Sequence, residues 1–347
     1  MKSSIANNSV PHSLSIDILY NKPTKRFASA PSAIAAEEDT EESAREVASA
    51  LTEKGAVTTL VPITETTIAS AVASLHGDLV FNLIEWTGVD MPHAMATYDE
   101  MDARQLRYTG ATKENYRITC DKVLMKQRMD ESHLPTPPWQ LFETGNETVK
   151  TGFLFPAIIK VAREHSSVGL TKDAVVSSPE TLRATVRSRL KEYSQPVYAE
   201  SFVTGREFQV TMLSQRTGPL ILPPAEIVYT KDTDVPFLTY ESRWNEEHPD
   251  YDNSQVGLAK LDNDLLTRIE TMSMDAYTAF GFRDYARFDI RCDGDTPYFL
   301  EVNSNPGLGD DNEYGMTVSY KSLGMTFADF VWEIVASAIR RYDSEGM

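Results

Sequence analysis

Cysteine is almost absent: two residues, Cys120 and Cys292, in a chain of 347. So few build no disulfide framework and fit a reducing compartment, so a cytoplasmic protein is expected. Histidine is nearly as scarce. The six present (12, 76, 93, 133, 165 and 248) show no metal-ligand or nucleophile–base spacing, and most read as surface residues. Basic residues are in deficit, 33 Lys and Arg against 51 Asp and Glu, for a formal net charge of −18 and a pI near 4.8. Such a field opposes nucleic acid and anionic membrane surfaces, so neither is an expected partner. Any phosphate-bearing ligand must instead meet a local cluster of Lys and Arg. Long apolar runs are missing as well: none approaches the ~18 residues of a membrane span. The opening MKSSIANNSVPHSL has no signal-peptide core, and there are no internal repeats or low-complexity tracts.

What remains is a globular composition, 41% hydrophobic and 24% charged. SIDILY (15–20) reads as a buried strand, followed by a loop, NKPTKRFASAPS. A helix is predicted from Thr40 to Glu53, with Ala44, Val47, Ala48 and Leu51 on one face and Gly55 as its stop. VTTLVPI (57–63), a helix over Glu65 to Leu75, and DLVFNLI (78–84) continue the alternation. Strand and helix in turn predict a parallel, doubly wound sheet over the first ~120 residues. After Gly110 one helix is expected over about Lys113 to Glu131, ended by LPTPPW. Strands then dominate: FPAIIKVA (155–162), VYAESFV (197–203), REFQVTML (206–213), YARFDIR (285–291) and PYFLEVN (297–303). Thr204-Gly205 and Cys292-Asp293-Gly294-Asp295 look like short turns joining paired strands, which gives this part an α+β character. Residues 229–260, rich in Asp, Asn, Glu, Pro and Tyr, read as a long lid-like loop.

The last two strands carry the most specific pattern. The turn at 292–295 sets Asp289 opposite Glu301, and side chains two apart share a face. Arg287, Asp289, Glu301 and Asn303 then converge on one patch, while Leu300 and Val302 are expected to face the core. Oxygen-only donors suit a hard cation such as Mg²⁺, with Arg287 able to neutralise the same phosphates. The plainer alternative is an acidic edge hairpin with an internal Arg–Asp pair. Lys160 sits inside the apolar FPAIIKVA, where an unpaired ammonium is expensive to bury. Ser166, Ser167 and Gly169 follow it with small donors of the kind that cradle phosphate. Lys122, in TCDKVLMKQ, reads by itself as a surface lysine.

Together these motifs resemble the D-alanine–D-alanine ligase branch of the ATP-grasp superfamily. KVAREHSSVGL is similar to that family's Lys-Pro-x-x-Glu-Gly-Ser-Ser-Val-Gly loop, and AESFVTGREF to its adenine-binding hinge. ARFDIR with FLEVNSNPGL is similar to its Arg-x-Asp and Glu-x-Asn-x-x-Pro-Gly metal site. The matches occur in the family's order, over about residues 15–340. The resemblance implies an ATP-grasp fold of three domains: an N-terminal substrate domain (1–120), a central subdomain (121–203) and a C-terminal domain with metal site and lid (204–347). It also implies that Lys122 and Lys160 hold ATP phosphates. Glu200, the backbone of Ser201 and Val203, and the Phe202 ring would surround adenine, with Glu207 at the ribose. Asp289, Glu301 and Asn303 would bind two Mg²⁺ (Mn²⁺ being an acceptable substitute), with Glu301 bridging them. Arg287 would stabilise the transferred phosphoryl and the tetrahedral oxyanion, Ser166 and Ser167 would close over phosphate and substrate, and Arg243-Trp244 would stand where the family's lid has Lys-Tyr. The implied reaction joins a small carboxylic acid to an amino-acid-like amine through an acylphosphate. A homodimer follows only from the resemblance.

Departures lie in the substrate loops. The family's Gly-Gly-x-Ser-x-Glu-His is missing, with YNKPTKRF in its place, and His165 stands where the phosphate loop has glycine. After Gly307, GDDNEYG replaces a Ser-Leu element that holds the second substrate's carboxylate. Substrates other than two D-alanines are therefore expected. A divergent D-alanine–D-alanine ligase, a ring-closing ligase and a non-catalytic ATP-binding regulator remain alternatives.

Overall fold

The computed structural model describes residues 14–22, 31–164, 167, 169–230, 236–239, 241–242, 245, 247–249, 251, 253–312 and 314–346. β1 (Ser15–Asn21) is buried along nearly its whole length, as a strand covered on both faces must be. β2 (Val57–Ile63) and β3 (Leu79–Leu83) flank it in parallel, in the order β2-β1-β3. Ile16, Ile18, Leu79 and Phe81 pack beneath α1 (Pro31–Glu53), while Leu19 and Val80 face the other side, toward α2 (Ile68–Ala73) and α3 (Met91–Ala103). Both faces are therefore covered, the doubly wound arrangement that the alternating pattern predicts.

Three helix boundaries differ from the sequence reading. α1 starts at Pro31 rather than Thr40; proline suits a first helical position because its missing N–H has no intrahelical partner there. α2 is shorter than Glu65–Leu75, because the Thr67 hydroxyl takes the Thr64 N–H at 2.9 Å and holds a turn instead. The helix expected over 113–131 is two, α4 (Lys113–Thr119) and α5 (Lys122–Glu131). Asp121 makes the break, its Oδ1 accepting from the N–H groups of Val123 and Leu124 as an N-cap.

An antiparallel sheet follows, in the order β4 (Trp139–Phe142), β7 (Val197–Ser201), β5 (Ala157–Val161), β6 (Val175–Val176), with α6 (Pro179–Tyr193) packed against β5 and β7. The largest sheet has the order β11 (Ser254–Leu258), β10 (Ala225–Tyr229), β8 (Glu207–Gln215), β12 (Tyr285–Asp293), β13 (Thr296–Asn303), with β9 (Gly218–Ile221) on β8. Thr204-Gly205 is therefore not a hairpin turn: β7 and β8 belong to different sheets, and these residues carry the chain between them. Gly205 is required there, since a Cβ would lie 1.8 Å from the Cys292 carbonyl oxygen. The polar region 229–260 is not all loop either, because β11 lies within it and pairs with β10. α7 (Asn263–Phe280) buries Leu265, Ile269 and Met272 against Phe208, Phe288 and Phe299. α8 (Gly315–Ser322) and α9 (Phe327–Glu345) meet at 93° and close the core against α1. No single helix among the described residues is long and apolar enough to cross a membrane.

Candidate active site

The C-terminal hairpin supplies the first part of the site. Its turn is centred between Gly294 and Asp295, with Asp293 opposite Thr296 and Ile290 opposite Phe299. Continued regularly, that register would set Asp289 against Leu300. A bulge between Asp289 and Ile290 shifts it by one residue, so Asp289 faces Glu301 and Arg287 faces Asn303. Phe299 and Val302 are accordingly both in the core, and Leu300 lines the cavity. This corrects the expectation that Leu300 is a core residue: the bulge reverses its side, and the same reversal places Glu301 and Asn303 beside Asp289.

Every carboxylate of this patch has a cationic neighbour. Arg287 donates to both oxygens of Asp289, at 3.0 and 3.1 Å, and the Asn303 amide lies 3.3 Å from Asp289 Oδ2. Burial pushes the Asp289 carboxyl above its usual value, more than Arg287 lowers it. Lys122 Nζ is 2.8 Å from Glu301 Oε1. Lys122 is a buried residue at the first position of α5, not a surface lysine, and its N–H donates to the Ala162 carbonyl beside β5.

Glu200, on β7, is fully buried between two lysines: Lys160 at 2.5 Å from Oε1 and Lys126 at 2.7 Å from Oε2. Burial opposes the carboxylate's charge, and the two ammonium groups outweigh it, holding the Glu200 carboxyl below its ordinary value. Lys126 also donates to Thr136 Oγ1 and to the Phe299 carbonyl, tying α5 to β13. At the hinge that follows β7, the Ser201 N–H donates to the Pro138 carbonyl. Proline has no N–H to return, so the ladder leaves the Ser201 carbonyl without that donor. The Phe202 N–H goes to Pro156, and the Val203 carbonyl accepts from Arg291 Nη1 at 2.9 Å. Glu207, on β8, is the cross-strand partner of Arg291 and is bonded to it.

The hairpin donors, Lys122, Lys160, Glu200, the hinge, Glu207 and Arg291 line one cavity of about 740 Å³, together with Ser167, Phe237, Leu238, Ser43, Glu85, Tyr116, Glu164, Asp311 and Tyr314; Lys126 is not among its lining residues. Ser167 and Gly169 have left-handed backbone, at φ 63° and 77°. Ser166, His165, Arg243 and Trp244 lie outside the described residues. Of the acidic segment after Gly307, Asp311 lines the cavity, whereas Asp310 turns to Tyr320 and Lys321, at 2.7 and 3.0 Å; Glu313 is outside the described residues. Asn305 is a connector: it donates to the carbonyls of Asn82 and Ile84 at 3.1 and 3.3 Å, fastening the C-terminal loop to the end of β3. That fastening brings Glu85 to Gly307, where a Cβ would lie 3.2 Å from Glu85 Oε1.

Sequence reasoning missed Lys126, Arg291, Glu85 and Glu164. Three had a signal. Lys126 follows Lys122 by four residues, the spacing of one helix face, and Arg291 follows Arg287 and Asp289 at strand spacing. Glu164 stands at the Glu of the Lys-Pro-x-x-Glu-Gly-Ser-Ser-Val-Gly motif. Glu85 gave none, since it stands beyond the end of its strand and in no matched motif.

Residues 129–336 match the protein family described as D-ala D-ala ligase C-terminus. An uncharacterized protein of Sinorhizobium fredii is 29% identical over 271 residues, 78% of this chain and 77% of that one. The D-alanine–D-alanine ligase of Nitrosococcus oceani is 29% identical over 245 residues, 70% of this chain and 72% of that one. The fold is similar to that of the Bacillus anthracis D-alanine–D-alanine ligase complexed with ATP, with a TM-score of 0.72 at 16% identity over 96% of this chain and 99% of that chain. It is equally similar to D-alanyl-alanine synthetase A of Vibrio cholerae, at 0.72 and 17% identity over 95% and 100%. The chain belongs to the D-ala D-ala ligase family and has the ATP-grasp fold.

Proposed function

We propose that this protein is an ATP- and Mg²⁺-dependent ligase that joins a small carboxylic acid to an amine through an acylphosphate, with substrates other than two D-alanines. The observation that carries the reading is the meeting, in one cavity, of Lys122, Lys160 and Arg287 with the oxygen donors Asp289, Glu301 and Asn303. The donor set suits Mg²⁺: it is oxygen only, it lies on one face of a hairpin, and its carboxylates already attract protein cations. Two ions, with Mn²⁺ as a substitute, would be held by Asp289, Glu301 and Asn303, with Glu301 shared. When bound, the metal neutralises phosphate charge and orients the transferred group.

The chain's own groups do the rest. Lys122 and Lys160 are placed to neutralise phosphate oxygens, which phosphoryl transfer needs more than it needs covalent catalysis. Arg287, raised above its usual pKa because Asp289 and Glu301 outweigh the cost of burial, stays cationic to meet the phosphoryl and then the tetrahedral oxyanion. The Ser201 carbonyl and the Val203 N–H offer an acceptor and a donor to the adenine edge, beside the Phe202 ring. Glu200 serves adenine only indirectly, because both its oxygens are taken by lysines. Ser166 and Ser167 would cover the phosphates, and Arg243 the reacting centre. Glu85, Glu164 and Asp311, which line the same cavity, would favour cationic groups over a second free carboxylate, which supports altered substrates.

The test is ADP release from the purified protein with ATP and Mg²⁺ against panels of amino acids and amines, with mass spectrometry of the products. An amide product formed one-for-one with ADP is expected. Nucleotide binding without ADP release for any acid–amine pair would favour a regulator; D-alanyl-D-alanine as the preferred product would return the chain to the parent activity.

A further inference from the structure

Arg291 makes more contacts than a strand pairing needs. It is 2% exposed, yet it stands at the wall of the cavity. Nε and Nη2 both donate to Glu207 Oε2, at 2.9 and 2.6 Å, and Nη1 donates to the Val203 carbonyl at 2.9 Å. Nη2 also reaches the Pro236 carbonyl at 2.5 Å and the Tyr229 hydroxyl at 3.4 Å. Its guanidinium lies 5.1 Å from the Phe202 ring and 5.7 Å from that of Tyr229. The Tyr229 hydroxyl itself donates to Glu207 Oε2 at 2.8 Å. Three donors thus converge on one oxygen of Glu207, and among the described residues none reaches Oε1. Phe237, the residue after Pro236, meets Phe202 edge to face at 6.0 Å. One guanidinium therefore joins four things: the hinge, the carboxylate on β8, β10, and the 236–239 segment over the cavity.

We propose that Arg291 is a positioning residue for nucleotide recognition: it fixes Glu207 with Oε1 presented to the sugar hydroxyls, and selection of ribonucleotides depends on it. The inference rests on the ATP-binding reading above, with Glu207 at the ribose. A planar five-donor fork is suited to this, because it can hold a carboxylate and two carbonyls at once while keeping its charge. A carboxylate whose second oxygen is pinned meets a ligand hydroxyl without a further loss of side-chain freedom.

The experiment measures binding of ATP and of 2′,3′-dideoxyATP, by calorimetry, to the full chain as wild type, R291M, R291K, E207Q and R291M/E207Q. Steady-state KM and kcat for ATP are measured alongside, and thermal unfolding identifies the folded variants. Wild type should prefer ATP by about 10- to 100-fold, the range of a charge-assisted hydrogen bond. In R291M that preference should fall to within about threefold of unity, with the change in KM rather than in saturated kcat. R291K, which keeps the charge but not the fork, should recover only part of it. R291M/E207Q should discriminate no worse than E207Q, because Arg291 acts through Glu207. A folded R291M with the wild-type preference overturns the proposal. So does a double variant whose losses multiply, or, should R291M fail to fold, an R291K with undiminished preference. Wild type binding both nucleotides equally removes Glu207 from the sugar and this inference with it. Binding of neither overturns the ATP reading itself.

Discussion

At the scale of single residues, Glu301 and Glu200 are both carboxylates touched by lysine, and they should behave in opposite ways. Glu301 is partly open to the cavity, and on the proposed function its charge would meet a metal ion. Glu301→Gln should leave the protein folded and reduce kcat by more than tenfold, a barrier increase above about 1.4 kcal/mol. Retention of a tenth or more of wild-type turnover would rule out its metal role. Glu200 is fully enclosed, so Glu200→Gln strands Lys126 in the core; a loss of about 3–5 kcal/mol in urea unfolding at pH 7 is expected. Lys126→Met should cost less, since Lys160 still neutralises Glu200. The pH dependence has a definite sign. The folded Glu200 carboxyl lies below its model-peptide value of 4.5, so its contribution is complete above that value and is lost as pH falls through the lower one. The stability gap between wild type and Glu200→Gln should therefore narrow on acidification below about 4.5. A gap that stays constant from pH 7 to pH 3.5 would contradict this account.

At the scale of elements, two short irregularities set the site. The bulge in β12–β13 turns Glu301 and Asn303 to the side of Asp289, and the glycine junction carries the chain from β7 to β8. Gly205→Ala places a methyl group against backbone that cannot rotate away, the Cys292 carbonyl at 1.8 Å. It should destabilise by more than about 3 kcal/mol, in the range of the large mutational effects with a named steric cause. Because Arg206 and Glu207 follow directly, weakened nucleotide binding should accompany it. A Gly205→Ala protein with wild-type melting and wild-type ATP affinity would mean that the junction shifts at little cost. α5 offers a milder test: Asp121→Ala removes an N-cap and a 2.9 Å contact to Arg163, and should cost about 1 kcal/mol. Since α5 begins at Lys122, KM for ATP should rise with it.

At the scale of the whole molecule, a net charge of −18 surrounds a cavity lined both by Lys122, Lys160, Arg287 and Arg291 and by Glu85, Glu164 and Asp311, which the proposed function assigns to nucleotide and substrates respectively. Cationic amines should therefore be better nucleophiles than neutral amino acids with a free carboxylate. A partly exposed pair contributes about 0.5–1 kcal/mol, so Asp311→Asn should lower kcat/KM for lysine or a diamine two- to fivefold and leave alanine unchanged. The preference should also shrink as ionic strength rises. Equal loss for charged and neutral amines would show that Asp311 shapes the loop and does not select charge.

Local patterns in the sequence were enough to bring out Lys160, Arg287, Asp289, Glu301 and Asn303, which line one cavity. The alternation of ARFDIR and FLEVN, the lysine inside FPAIIKVA and the order of the motifs pointed to the fold and to the residues that meet in the cavity, because strand periodicity and the cost of burying charge are local properties. Tertiary structure decided the rest. Whether the helix near Lys122 was one or two depended on a cap at Asp121 that also pairs with Arg163, from the segment after β5. The burial of Lys126 depended on Glu200, 74 positions away, and the place of Glu85 on Asn305 reaching back to β3. Such partners are joined by packing and not by spacing, and only the folded chain brings them within hydrogen-bonding distance.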